Sequence, residues 1–294
     1  MSALAPERLS LEANGLTQAY LRWSLGEGPP LVLLHGFLDL SDSFAPMIEA
    51  LSAQGWSGPI YAPDLRGHGH TQWVSPEGAY HFYDYIADLH GLLQALELRH
   101  AHQAPWDLFG HSMGGVVSAL YAGTFPERVR RLILAEGLGP PDRALSEGPS
   151  QARRWIEQTE ALRTKAPRPY PDLEAAAARL RAGNPRLPEP LSRALAAAGT
   201  RAVDGGLIWR FDPRHRTPSA LPFQTARLRP FLEAIEAPTL LIEGSASPMP
   251  GWWRDRDGAI PGASTHVIEA GHMLHHDAPA ALAQATHAFF REIP

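Results

Sequence analysis

The sequence predicts a mostly parallel, doubly wound α/β sheet with a helical insertion after its sixth strand. Three observations predict it. Short runs that are apolar on both faces and bounded by Gly or Pro suit buried parallel strands. Stretches with apolar residues at helical spacing alternate with those runs. One long segment differs from its flanks in charge: between Gly139 and Glu236 stand 16 basic residues, 15 of them Arg, against 11 acidic, whereas the rest of the chain holds 10 basic and 20 acidic. A block that distinct marks a candidate insertion or second domain.

The elements follow in order. Arg8–Ala13 and Leu16–Leu25 bracket Asn14-Gly15, a strong hairpin signal, and the alternation in Thr17–Ser24 suits an antiparallel strand at a sheet edge. Leu31–Leu34, Ile60–Ala62, Asp107–Phe109, Leu132–Ala135 and Thr239–Ile242 are the buried strands, and Thr265–Ile268 is a weaker one. Helices are expected over Ser41–Gln54, Tyr83–Leu98, Ser112–Phe125 and Pro279–Phe290, each with apolar residues three and four apart. Inside the basic segment, Ser150–Lys165, Leu173–Ala182 and Pro190–Ala198 read as helices, followed by an aromatic and arginine-rich stretch, Gly206–Arg216. The division expected is a core over residues 1–138, a helical cap over 139–230 and a second part of the core over 231–294.

Composition narrows the function. With 294 residues, 44% of them hydrophobic and 19% charged, the chain can bury a sizeable core. A net charge of −5 leaves no footprint for nucleic acid. The absence of cysteine removes disulfides, thiolate metal sites and cysteine nucleophiles together. No apolar run approaches the roughly 20 residues that cross a bilayer, and Met1–Ser10 has no secretory pattern. A soluble cytoplasmic enzyme is the expectation, with its oligomeric state open.

Ligands of such sheets bind at the carboxyl ends of the strands. There, Gly110-His111-Ser112-Met113-Gly114 matches G-x-S-x-G between an apolar run and a helical stretch, the context in which a tight turn lifts a serine hydroxyl above the sheet. With it, His35-Gly36-Phe37, the Pro63–Gly69 turn, the Gly110–Gly115 elbow and Gly271-His272 followed by Asp277 and Pro279 stand in the order of the α/β-hydrolase superfamily, and the chain resembles that superfamily nearly end to end. The resemblance implies the α/β-hydrolase fold, with Ser112 as nucleophile, His272 as its base, and the N–H groups of Phe37 and Met113 as the oxyanion hole. It also implies that the basic segment is the cap. Glu136-Gly137-Leu138-Gly139-Pro140, His35–Asp39 and the Gly206–Arg216 stretch are similar to the serine-hydrolase-like branch. His35, His68 and His70 read as loop braces.

The third member departs from the pattern. Many relatives carry an Asp three residues after the Gly that closes the penultimate strand; here that position is Ser247. Glu136, at the end of the preceding strand, is the first choice for the acid, because some branches of the superfamily place it there. Glu243, Asp255, Asp257 and no acid at all are the alternatives. A metal is suggested only by His272-x-x-His275-His276, without H-E-x-x-H, and no phosphate loop or dinucleotide fingerprint stands in the right context, so no metal and no cofactor are expected.

Trp155, Trp209, Phe211 and Phe223 are candidates for an apolar acyl pocket, or for knitting the cap to the core. The expected activity is cleavage of a short- to medium-chain ester or lactone, a small-molecule partner, through an acyl-enzyme. A carbon–carbon bond hydrolase acting on an acidic diketone, with cap arginines holding carboxylates, is the rival enzyme. A ligand-binding protein that lost catalysis is the rival from another class.

Overall fold

The computed structural model describes residues 5–164, 167–252 and 256–292. Its main sheet has eight strands. β1 (Glu7–Ala13) and β2 (Leu16–Trp23) form the hairpin, followed by β3 (Leu31–Leu34), β4 (Ile60–Pro63), β5 (Trp106–His111) and β6 (Val129–Ala135). The large sheet is completed by β9 (Thr239–Gly244) and β10 (Ser264–Ile268), while β7 (Thr200–Val203) and β8 (Gly206–Trp209) make a separate antiparallel pair. Spatial order is β1-β2-β4-β3-β5-β6-β9-β10, and every pair from β4 to β10 is parallel. The chain has the α/β-hydrolase fold expected. One strand position differs from expectation: β2 pairs with β4 as well as β1, so β1 is the edge and the β2 alternation reflects an interior antiparallel strand.

Alternate residues of each strand feed two separate cores, which makes the sheet doubly wound. Val32 and Leu34 of β3 join the apolar residues of α2 (Phe82–His100), α3 (Met113–Thr124) and α7 (Thr225–Glu233). Leu31 and Leu33 face the other way, toward α1 (Ala45–Ala53), α8 (Leu274–Asp277) and α9 (Pro279–Glu292). β3, β4 and β5 are buried along their whole length, the reason they read as continuous apolar runs.

Between β6 and β9 the chain leaves the sheet. α4 (Gly148–Thr164), α5 (Leu173–Gly183) and α6 (Glu189–Gly199) precede the β7–β8 hairpin, and α7 then returns across residue 230 to bury Leu228 and Leu232 in the first core. α5 and α6 share small apolar clusters, one built on Ala176, Ala177 and Ala196, the other joining Leu187 and Leu195 to Leu40 of the loop after β3. Polar ties fasten the excursion to the sheet: Asp212 N–H donates to Gly67 C=O at 2.8 Å, Trp73 Nε1–H to Arg210 C=O at 2.7 Å, and Arg214 to the carbonyls of Val74, Ser75 and Gly78.

Candidate active site

Ser112 is the single residue between β5 and α3, and it sits at φ 52°, ψ −115°. A side chain held there costs about 1–3 kcal/mol and persists only where its surroundings over-determine it. They do so here. Ser112 N–H donates to Ala135 C=O at 2.9 Å, and Ser112 C=O accepts from Gly115 at 3.0 Å and Val116 at 3.2 Å. The flanking glycines answer to crowding: a Cβ on Gly110 would lie 2.4 Å from Gly114 C=O, and one on Gly114 would lie 2.2 Å from Leu34 C=O.

His272 lies in the loop between β10 and α8, whose backbone is fixed at two points. Gly271 N–H donates to Asp277 Oδ2 at 2.9 Å, and His111 Nε2–H donates to His272 C=O at 2.8 Å. The ring stands between two partners, with Nε2 3.1 Å from Ser112 Oγ and Nδ1 3.1 Å from Glu136 Oε2. One tautomer fits both contacts: Nδ1–H donates to the carboxylate and bare Nε2 accepts the serine hydroxyl.

Glu136 is the first residue beyond β6, in the left-handed region at φ 54°, with its N–H bonded to Ile242 C=O at 2.9 Å. Its carboxylate is fully buried. Oε1 accepts from Gly244 N–H at 2.7 Å, and Oε2 accepts from Ser247 Oγ as well as from His272. Ser247, the hydroxyl that stands where the resemblance implies an Asp, thus holds the Glu136 carboxylate instead. The place of Ser247 three residues after Gly244 is legible in the sequence, but its bond to Glu136 is not. Of the alternative acids, Glu243 makes no hydrogen bond to His272 among the described residues, Asp255 lies outside them, and the side chain of Asp257 is not described.

The loop carrying Phe37 is braced from two sides. His35 Nδ1–H donates to Gly36 C=O at 2.8 Å and its Nε2 accepts from Leu65 N–H at 2.9 Å; His68 Nδ1–H donates to Arg66 C=O at 3.1 Å and its Nε2 accepts from Leu38 N–H at 3.2 Å. Burial, with His215 and His35 nearby, holds the His68 imidazole well below its ordinary range, so it braces as a neutral ring. Among the described residues neither Phe37 N–H nor Met113 N–H donates to a protein acceptor. Met113 follows the serine as the first position of α3, and Phe37 follows Gly36, where an added Cβ would lie 3.2 Å from Ser112 Cβ.

A cavity of about 240 Å³ is lined by Phe37 and by Met273, the residue after His272, while Ser112, His272 and Glu136 themselves are not among its lining residues. Leu40, Leu187 and Leu195 line it along with Trp209 and Phe211, two of the predicted pocket residues. Trp155 does not line it. α4 buries only Gln151, which donates to Ser219 C=O, and this leaves Trp155 half-buried on a peripheral helix. Phe223 is absent from the lining too; it packs against Gly139 and under the Arg256 guanidinium, 5.1 Å from its ring centre. Arg179 and Arg216 reach the same cavity, and neither is ion-paired among the described residues.

Known proteins share this fold. A family model described as the alpha/beta hydrolase fold matches residues 29–279. The chain is 32% identical to serine hydrolase-like protein 2 of Homo sapiens over 65% of its own length and 60% of that protein's. It is 30% identical to the 2-(acetamidomethylene)succinate hydrolase of Mesorhizobium japonicum, covering 76% of this chain and 72% of the relative. The chain therefore spans less than two thirds of the human relative. Among solved structures, a thioesterase domain from the curacin biosynthetic pathway superposes with a TM-score of 0.84 at 29% identity, covering 96% of this chain and 99% of that one.

Proposed function

The chain belongs to the α/β-hydrolase superfamily, in the branch of the serine hydrolase-like proteins, and on that premise we propose that it cleaves carboxylic esters through an acyl-enzyme formed on Ser112. The observation that carries the reading is the relay of two 3.1 Å contacts from Ser112 Oγ through the His272 ring to Glu136. An aliphatic hydroxyl is barely ionised near neutral pH and needs such a base. In this reading Oγ attacks the acyl carbon while Nε2 takes its proton, and Glu136 stabilises the imidazolium that results. The carbonyl oxygen, now an oxyanion, accepts from Phe37 N–H and Met113 N–H, a contribution of about 2.7–4 kcal/mol per donor. Collapse expels the alcohol, which leaves with the proton held on Nε2. Water then repeats the sequence on the acyl-enzyme and frees the acid.

The insertion over 139–230 acts as the cap in this reading, since Leu187, Leu195, Trp209 and Phe211 roof the cavity. About 240 Å³ lies below the roughly 300 Å³ at which drug-sized pockets begin, which favours a short- to medium-chain ester or lactone. Arg179 and Arg216 favour a second reading, a carbon–carbon bond hydrolase acting on an acidic diketone, in which they hold a carboxylate. The name of the Mesorhizobium relative, which specifies a succinate, likewise fits an acidic substrate, though it names no carbon–carbon bond.

Intact-mass analysis after fluorophosphonate treatment tests the nucleophile. One adduct on the native chain and none on Ser112→Ala is the expected result. An unlabelled native chain that binds ligands saturably without turnover would instead favour the non-catalytic rival. Comparing turnover of neutral aryl esters with that of dienoic keto-acids separates the two enzyme readings.

A further inference from the structure

Beside the relay, but outside it, lies a second group of polar side chains that ester hydrolysis leaves unused. Asp39 follows the oxyanion-hole loop, and His275 and His276 are consecutive residues of α8, three and four positions after His272. His275 Nε2 is 3.2 Å from Asp39 Oδ2, and the two histidine rings are 4.2 Å apart. One donor atom from each of the three residues falls within 4.8 Å of the others. Both histidines are buried, His275 completely and His276 with 6% exposed. Asp39 and His276 nevertheless line the 240 Å³ cavity, so the group is reached from that cavity.

The hydrogen bonding of this group is incomplete. Neither ring nitrogen of His276 has a hydrogen-bond partner, and neither has His275 Nδ1. Buried polar atoms in folded proteins are almost always paired, and those that are not call for an explanation. A His275–Asp39 pair that merely held two loops together would explain one contact and leave His276 bare on both nitrogens. Two imidazoles and one carboxylate are, in contrast, a common donor set for a borderline divalent ion. In a tetrahedral site with bonds near 2.0–2.1 Å the donors stand about 3.3 Å apart, close to the Asp39–His275 separation, so closing the site requires only a modest approach of His276.

We propose that Asp39, His275 and His276 form a binding site for a divalent transition-metal ion such as Zn²⁺, and that occupancy inhibits the adjacent hydrolytic site. The imidazoles bind as neutral rings, which their burial already favours. If His275 coordinates through Nε2, its ring proton moves to the unpartnered Nδ1, and no net proton is released. The fourth position faces the cavity, open to water or a substrate oxygen. Binding a dication takes the group from one negative to one net positive charge, a change of two, on the far side of His111, whose ring is 4.9 Å from that of His272 and 4.5 Å from that of His275. That charge opposes the imidazolium formed during acylation, by on the order of tenfold. The ion also ties the Phe37 loop to the His272 loop.

The test is equilibrium dialysis of the EDTA-stripped full chain against ZnCl₂, repeated with His276→Gln and with Asp39→Asn. One equivalent bound by the native chain, lost in His276→Gln and weakened at least tenfold in Asp39→Asn, is the expected result. No binding by the native chain, or undiminished binding by either folded variant, overturns the proposal; should one variant fail to fold, the other decides. Co²⁺ in place of Zn²⁺ should give the intense visible absorption of a tetrahedral nitrogen and oxygen site. Ester turnover by the native chain should fall about tenfold on Zn²⁺ saturation, while His276→Gln, whatever its own rate, should be insensitive to the ion. The inhibition arm rests on the serine-hydrolase reading. The binding and Co²⁺ arms do not, so failure of one reading is distinguishable from failure of the other.

Discussion

The carboxylate of Glu136 meets three donors, Gly244 N–H, Ser247 Oγ–H and His272 Nδ1–H. A carboxamide at this position would turn its NH₂ toward at least one of them, donor against donor, while keeping the same volume. Glu136→Gln is therefore expected to lower kcat/KM by about 10²–10⁴ with the fold intact, as loss of the acid does in other Ser-His-acid enzymes. A loss under tenfold in a chain with native circular dichroism would rule Glu136 out. Ser247→Ala removes only the supporting donor, and should lower kcat by far less while leaving KM in place, because Ser247 does not line the cavity. The two contacts also show what a sequence can carry at this scale. Gly110-His111-Ser112-Met113-Gly114 is legible because the turn that needs those glycines spans five neighbouring residues. The Ser247–Glu136 hydrogen bond joins positions 111 residues apart, and no local spacing encodes it.

Among the elements, β5 and β6 carry a charge arrangement that apolar periodicity does not reveal. Asp107 on β5 is fully buried and accepts from the guanidinium groups of both Arg130 and Arg131 on β6, with Arg131 buried as well. Removing the carboxylate that both guanidinium groups share breaks a buried ion pair, a change that typically costs about 3–5 kcal/mol. Asp107→Ala should show that loss in urea denaturation, whereas Arg130→Ala, at a side chain 30% exposed, should cost at most about 1 kcal/mol. An Asp107→Ala chain as stable as the native one would show that the cluster is energetically idle. Buried parallel strands and long amphipathic helices were readable one by one, since each repeats its signal over several residues. The β7–β8 pair was not: each strand has four residues, and its pairing is completed by Tyr170, some thirty positions upstream. β2 misled because alternation reports a polar face, and an interior antiparallel strand can have one as readily as an edge strand.

Across the whole molecule, the insertion and the sheet meet at His215. Its ring stacks on His68 at 4.0 Å and lies 3.9 Å from Tyr80, with Tyr85 Oη 3.4 Å from its Nδ1. Burial pushes the imidazole down to about 4; nearby Asp212 partly opposes the shift and His35 adds to it. In the unfolded chain the same group titrates near 6.5. The folded state therefore favours the neutral ring, and the stability this contributes is fully present above about pH 6.5 and lost as pH falls toward about 4. His68, also lowered by burial, acts in the same direction. Melting temperature should fall steadily across that window, and His215→Gln should flatten the slope. A melting temperature unchanged between pH 6.5 and 4.5 would contradict this account.

The acid and the base of the proposed relay are 136 positions apart, and the whole excursion from β6 to β9 lies between them. A chain severed within that excursion, for instance at exposed Gly183, would place Ser112 and Glu136 on one fragment and His272 on the other. The β6–β9 ladder, with Leu132 beside Thr239 and Ala135 beside Ile242, is the seam along which the pieces would rejoin. Hydrolysis would then report complementation, because neither half holds enough of the machinery to turn over a substrate alone.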